Sequence, residues 1–245
     1  MKLSELFHNC AYDVDYKQVG DSVNYAFVED ISSHTLYIYF QGSNSISDWV
    51  RNFLFPSKPY KDMDISYRVH RGFLAAWKTV EDIIIDKIKE LDKPLSCYKW
   101  KHIVIVGYSH GGALAGFCHE CVWFWRPDLR EKGLEGYGFE SPRFYAGWKV
   151  KKELRERWKT FRIIRTNNDL VTHCPPWLFR FCHVSNILEV KGDTSLVKNR
   201  QPKCIKSHFP QVVYDALVKW EDETGVEEYL EIESNFSVDF LDTEE

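Results

Sequence analysis

His102-Ile103-Val104-Ile105-Val106-Gly107-Tyr108-Ser109-His110-Gly111-Gly112-Ala113-Leu114-Ala115 reads as a strand, a turn and a helix in succession. The opening run is short, apolar and β-branched, the signature of a strand buried on both faces of a parallel sheet. Residues 107–111 fit Gly-x-Ser-x-Gly, and an Ala- and Leu-bearing helical run covers 113–125. The five-residue pattern alone is common; the strand before it and the helix after it give it weight. Such a turn lifts the Ser109 hydroxyl above the sheet edge in a strained backbone conformation. Small residues two before and two after the serine let strand and helix approach, and the helix start points free N–H groups at whatever reacts there.

Outward from this element, strand-like and helical runs alternate. Residues 24–28 and 35–40 are rich in aromatic and β-branched residues around a polar turn, which predicts a hairpin. Phe73, Trp77, Val80, Ile84, Ile88 and Leu91 recur at helical spacing, with Pro94 just beyond. Strands are expected at 137–139, 161–165 and 187–190, and helices at 148–158 and 209–220. The alternation predicts an α/β domain over 1–220 with a mainly parallel central sheet flanked by helices. The residues from 221 to 245 read as an acidic C-terminal tail.

Composition narrows the classes. The chain has 245 residues, 44% hydrophobic and 28% charged, which excludes a disordered or collagen-like protein. It has no stretch of about 18 apolar residues, so no transmembrane segment is expected. Aromatic residues make up 16%, enough for a core and a ring-lined pocket. The tail holds 11 of the 36 acidic residues and no Lys or Arg, leaving 32 positive against 25 negative charges in the body. That excess is too diffuse to argue for nucleic acid, but suits weak approach to an anionic lipid surface. Seven cysteines, an odd number, do not suggest a disulfide framework. Cys118 and Cys121 form Cys-x-x-Cys inside an expected helix with no second pair, so neither zinc nor redox chemistry is expected. With no apolar leader in Met1-Lys2-Leu3-Ser4-Glu5-Leu6-Phe7, the expected location is cytoplasmic, secretion after removal of a signal remaining open.

An elbow serine needs a base, and the base needs an orienting carboxylate, in the chain order serine, acid, histidine. Asp169 closes Arg162-Ile163-Ile164-Arg165-Thr166-Asn167-Asn168-Asp169 just beyond a strand, at the sheet edge that carries Ser109. Asp193 is the reserve, although it reads more readily as a turn aspartate in Lys191-Gly192-Asp193. His173, His183 and His208 follow the serine. His208, directly before the last helix, is the expected base. His183 looks structural, and His173 is too near Asp169 in sequence to bridge it to Ser109. An oxyanion needs two or more donors. One is the His110 backbone N–H; the other is expected from Ser43, in the loop Gln41-Gly42-Ser43-Asn44-Ser45 after an early strand.

Together these segments resemble the class 3 lipases, the fungal-type α/β-hydrolases, from about Tyr37 to His208. The segment Phe40 to Trp49 is similar to that family's oxyanion loop, with Gln41 for the usual Arg. Val69-His70-Arg71-Gly72-Phe73 is similar to the opening of its next helix. At the elbow, Tyr108 replaces the usual His and His110 the usual Leu. Phe139-Glu140-Ser141-Pro142-Arg143 is similar to a strand-end Gly-x-Pro-Arg, with Glu140 for Gly. Asn167-Asn168-Asp169-Leu170-Val171 resembles the acid segment, favouring Asp169 over Asp193, and Phe181-Cys182-His183 resembles a structural histidine site, leaving His208 as the base. The resemblance implies a lid within 50–68, where Phe53, Leu54 and Phe55 are the apolar candidates. It also makes Trp177, Leu178 and Phe179, just after the acid segment, candidates for the acyl groove.

The expected function is serine-dependent hydrolysis of lipid carboxylic esters, as by a triacylglycerol lipase or esterase. The alternatives are a phospholipase A, a short-chain carboxylesterase or, less favoured, a non-catalytic lipid-binding relative. The expected partner is a lipid or small ester, with transient contact at a lipid interface. Neither a metal nor an organic cofactor is expected.

Overall fold

The computed structural model describes residues 1–20, 23–42, 56–61, 64–92 and 97–226. Its central sheet holds seven strands: β1 (Lys17–Val19), β2 (Val23–Asp30), β3 (Thr35–Phe40), β4 (His102–Tyr108), β5 (Leu134–Phe139), β6 (Phe161–Thr166) and β7 (Ile187–Val190). They lie side by side in that order. The first three pair antiparallel, so the expected hairpin is present, with Tyr25 opposite Phe40. From β3 to β7 every pairing is parallel. Register aligns the strand ends that matter: Phe40 stands beside Gly107, and Tyr108 beside Phe139. The loops after β3, β4, β5 and β6 therefore leave the sheet along one carboxyl edge.

Side chains alternate across a strand, so a two-faced sheet feeds two cores. One contains Leu36, Ile38, Ile103, Ile105 and Ile163 with helices α2 (Arg71–Ile88) and α3 (His110–Trp125). The other contains Tyr39, Val106, Tyr137, Ile164 and Leu188 with α1 (Leu3–His8) and α4 (Pro210–Thr224). Phe73, Trp77, Val80, Ile84 and Ile88 are all buried along one stripe of α2. Burial of each such side chain is worth about 1.5–3 kcal/mol.

Three boundaries differ from expectation. Helix α2 ends at Ile88, so Leu91 leaves the buried stripe; it is exposed and pairs with Tyr98 in a small hairpin. The helix expected at 148–158 is only Lys152–Arg155 followed by one tight turn, Glu156–Trp158, because Lys151 is extended and the helix starts after it. Helix α4 continues past 220 to Thr224, where Gly225 takes the left-handed conformation that ends it. Glu221 belongs to the folded body: it is buried and accepts from the Ser4 amide and hydroxyl of α1. Residues 227–245 lie outside the described residues.

A second, antiparallel sheet runs in the order Phe181–Cys182, Tyr145–Ala146, Tyr67–His70, Ser57–Tyr60. It ties the segment before α2 to the loops after β5 and β6. A polar cluster connects this sheet to α3. Glu120 is fully buried, accepts from Arg157 at 2.8 Å and from the Tyr67 hydroxyl, and Arg157 also meets Asp64. Burial pushes the Glu120 carboxyl up to about 7, against the opposing pull of Tyr67 and Arg157. The seven cysteines are free thiols, and burial pushes those of Cys118 and Cys121 well up, the opposite of what a reactive pair needs. No helix among the described residues is long and apolar enough to cross a membrane.

Candidate active site

Strand β4 delivers the chain to Ser109, whose φ of 56° and ψ of −123° form the turn into α3. A side chain there is strained, and the strain persists because strand and helix both hold it. Two glycines make the turn possible. A Cβ on Gly107 would lie 2.1 Å from the Gly111 carbonyl oxygen, and one on Gly111 would lie 2.2 Å from that of Phe40. The Ser109 amide donates to the Phe139 carbonyl at 2.9 Å, which pins the turn to the end of β5.

His208 and Asp169 meet this serine. His208 Nε2 is 2.7 Å from Ser109 Oγ, and Nδ1 is 2.6 Å from Asp169 Oδ2. All three residues are buried. Asp169 follows the left-handed Asn168 beyond β6, and its Oδ1 accepts from the Val171 amide at 2.9 Å. His208 closes the loop before α4. Its carbonyl accepts from the Tyr108 hydroxyl, and the Tyr108 ring stacks on the imidazole with centroids 5.4 Å apart. Tyr108, one of the two elbow departures, thus holds the histidine in place. Burial would raise the Asp169 carboxyl. The charge of His208, the neighbouring Glu140, and hydrogen bonds from His208 and the Val171 amide outweigh it and hold the group below the usual carboxylate range.

Neither alternative partner set assembles there. Asp193 is turned to its own loop, accepting from the Ser195 amide at 2.9 Å. His173 Nδ1 lies 2.8 Å from the Asp169 carbonyl and His183 Nε2 2.9 Å from that of Thr172, so both imidazoles brace the backbone of the acid loop.

His110 opens α3 immediately after the serine. Its imidazole is buried against Phe73, centroids 5.5 Å apart, and burial, then the nearby His70, lower its pKa to about 4. The ring therefore packs as a neutral group. Ser43 lies outside the described residues, as do Phe53, Leu54 and Phe55. The loop that carries Ser43 is described as far as Gly42, and there it already crosses the serine: a Cβ on Gly42 would stand 3.1 Å from Ser109 Cβ. Trp177, Leu178 and Phe179 form a tight turn beyond the acid loop and face solvent, Leu178 being 74% exposed, while Trp177 and Trp148 lie 4.6 Å apart.

In the sequence Glu140 stands out only as a departure from the strand-end pattern. It is buried at the end of β5, and one donor atom each from Glu140, Asp169 and His208 lie within 4.8 Å of one another. A cation drawing on those atoms would have to displace the Nδ1 proton that faces Asp169, so the cluster reads as a proton-linked chain.

A parallel-centred sheet with a serine elbow on its carboxyl edge, and a histidine and an aspartate in line behind it, defines an α/β-hydrolase. The class 3 lipase pattern matches residues 37–179, more than half of the chain. The chain belongs to the class 3 lipase family. It is 28% identical to a lipase of Rhizomucor miehei over 156 residues, which are 62% of this chain and 40% of that one. To a secreted mono- and diacylglycerol lipase of Penicillium cyclopium it is 29% identical over 178 residues, 71% of this chain and 54% of that one. The chain thus spans about half, or less, of the relatives' lengths. In structure it is similar to the Rhizomucor miehei lipase in its propeptide complex, with a TM-score of 0.61 at 22% identity over 84% of this chain and 68% of that one. Lipase II of Rhizopus niveus gives 0.60 at 22% identity over 72% and 64%. The Penicillium relative is named as secreted, so it lends the cytoplasmic expectation no support.

Proposed function

We propose that this chain hydrolyses carboxylic esters of lipids through an acyl-enzyme on Ser109. The carrying observation is the continuous chain Ser109 Oγ, His208 Nε2, His208 Nδ1, Asp169 Oδ2, with links of 2.7 and 2.6 Å. In this reading Oγ attacks the ester carbonyl carbon while Nε2 takes the hydroxyl proton. Asp169 holds the imidazole by its Nδ1–H and stabilises the imidazolium that forms. The carbonyl oxygen, now negative, is met by the His110 amide at the start of α3 and by Ser43, one residue beyond the point where the loop passes Ser109. His208 then protonates the leaving alcohol. Water, deprotonated by the same Nε2, attacks the acyl group and frees Ser109.

The Penicillium relative's name adds a substrate class to test first: mono- and diacylglycerols beside triacylglycerols. The exposed turn of Trp177, Leu178 and Phe179 suits contact with a lipid phase, where burying aromatic and aliphatic surface is favourable. The test is hydrolysis of p-nitrophenyl esters from short to long acyl chains, followed by emulsified glycerides, beside a Ser109→Ala control. Serine-dependent turnover favouring long chains supports the reading. Turnover that survives in the Ser109→Ala protein overturns it.

A further inference from the structure

The three-residue mechanism leaves one buried carboxyl at the site without a task. Glu140 follows β5 with φ at 49°, a left-handed conformation that favours glycine and strains a side chain of this length. Its amide donates to the Ile164 carbonyl at 2.7 Å, and its Oε1 accepts from the Thr166 amide at 2.6 Å. Both contacts hold the end of β5 to the end of β6. Oε2 is different: it is buried, and among the described residues no group donates to it. As an anion, Glu140 would keep an unsatisfied oxygen in a dry site and face the Asp169 carboxylate beside it. Each of these is costly in a low-dielectric interior. One proton removes both costs, because it turns the orphaned acceptor into a donor and deletes one of two adjacent negative charges.

We propose that Glu140 is a positioning residue of this site: its acid proton, on Oε2, is donated to the Asp169 carboxylate, so that the two carboxyls share one proton and one negative charge. The inference rests on the roles given above to Ser109, His208 and Asp169. Asp169 then has three donors: the Val171 amide on Oδ1, His208 Nδ1–H on Oδ2, and Glu140. Three donors fix the carboxylate rotamer. They also draw charge away from the oxygen facing the imidazole, so that Nδ1 keeps its proton when Nε2 becomes protonated. Glu140 gives up no proton in the reaction; the proton that moves runs between Ser109, His208 and the leaving alcohol.

The surroundings agree in direction. Burial, then the neighbouring Asp169 charge, push Glu140 well above the usual carboxyl range, whereas Asp169 is held below it. Titratable groups around the pair are His208, from the loop before α4; Tyr108 on β4, whose phenol is kept protonated by burial and by the two acids; and, in the acid loop, His173 against the Asp169 carbonyl and Cys174, whose thiol burial raises with Asp169 adding to it. Thr166, beside Glu140, spends its hydroxyl on the Ser207 carbonyl at 2.8 Å.

The test uses the rate of Ser109 labelling by a fluorophosphonate, which requires no knowledge of the substrate, across pH for the native protein, Glu140→Gln and Glu140→Gly. Gln keeps a neutral donor, and Gly suits the backbone angle but removes the donor. Gln is expected to label within about threefold of native at neutral pH. Gly is expected to label roughly ten- to a hundred-fold more slowly, the worth of one hydrogen bond to a charged group. The native profile should carry an alkaline inflection, from ionisation of the shared proton, that Gln lacks. An infrared difference between native and Gln proteins at pH 7 should show the C=O stretch of a protonated carboxyl. Three superimposable pH profiles, a Gln variant as slow as Gly, or absence of the infrared band would each overturn the proposal. If the Gly variant does not fold, native against Gln decides the matter. If the native protein never labels, the reading of Ser109 fails and takes the positioning role with it, while the infrared band still reports separately on the shared proton.

Discussion

Among the buried polar clusters of the described residues, two are built on opposite principles. Under α3, Glu120 is met by Arg157, a cation that keeps its charge at any ordinary pH, and by the Tyr67 hydroxyl. At the sheet edge, Asp169 is met by His208, whose proton can leave, and the imidazole in turn reaches a strained serine. The first cluster ties the small sheet to a core helix; the second can pass a proton. Burial of a carboxylate is therefore no sign of chemistry by itself. The sign is a buried carboxylate whose partner can change its charge, on a backbone that exposes a nucleophile.

This contrast is broken or sharpened by mutation. The largest effect expected is on the sheet-edge cluster. His208→Ala should lower ester turnover by roughly 10⁴- to 10⁶-fold per folded molecule. A loss of less than tenfold would put the base elsewhere. The converse belongs to the other cluster. Arg157→Ala leaves Glu120 buried and unpaired, and should cost about 3–5 kcal/mol of stability, read from urea unfolding. The remaining folded protein should still label at Ser109. Full stability in that variant would show that the cluster bears no weight. A softer change there, Glu120→Gln, keeps a hydrogen-bonding group and should cost less than Arg157→Ala, and a cost as large would mean that the charge on Glu120 is needed.

The smallest effect concerns His110 and His119, two imidazoles kept neutral by burial, at about 4 and about 3 against an ordinary 6.5. Between the folded and ordinary values the unfolded chain binds more protons than the folded one. Stability from these groups is therefore present above about 6.5 and falls as pH drops toward 4 and 3. His110→Leu should flatten part of that slope, seen as a smaller difference between urea midpoints at pH 7.5 and 4.5. An unchanged slope would contradict the assignment of a neutral His110.

Much of this was legible in the sequence. Gly107 to Gly111 between an apolar strand and a helix could hardly fold otherwise, and a strand-end aspartate and a histidine before the last helix had few competitors. Six strands of the central sheet followed from the alternation of runs; the three-residue strand Lys17–Val19 did not show. What escaped depended on geometry that residue order does not encode. Arg157, in a tight turn, finds Glu120 across 37 residues, on a helix that otherwise reads as apolar. Strands of two to four residues, such as Tyr145–Ala146, are too short to show a period. Glu140 was visible as an odd residue at the end of a strand, but its direction toward Asp169 depends on a left-handed backbone angle. Trp177, Leu178 and Phe179 follow the acid segment closely in sequence, but their exposure on a tight turn is set by the fold. Composition assigns Glu221 to the acidic tail, while in the fold it serves as the acceptor that joins α1 to α4.

The central claim is that Ser109, His208 and Asp169 act as one nucleophilic unit. The most direct measurement is long-chain p-nitrophenyl ester hydrolysis by the native protein and by Ser109→Ala, with fluorophosphonate labelling of both read by mass spectrometry. The account predicts turnover and a single adduct on the Ser109 peptide in the native protein, and neither in a Ser109→Ala protein of native stability. Equal turnover in both proteins, or an adduct on a different residue, would contradict it.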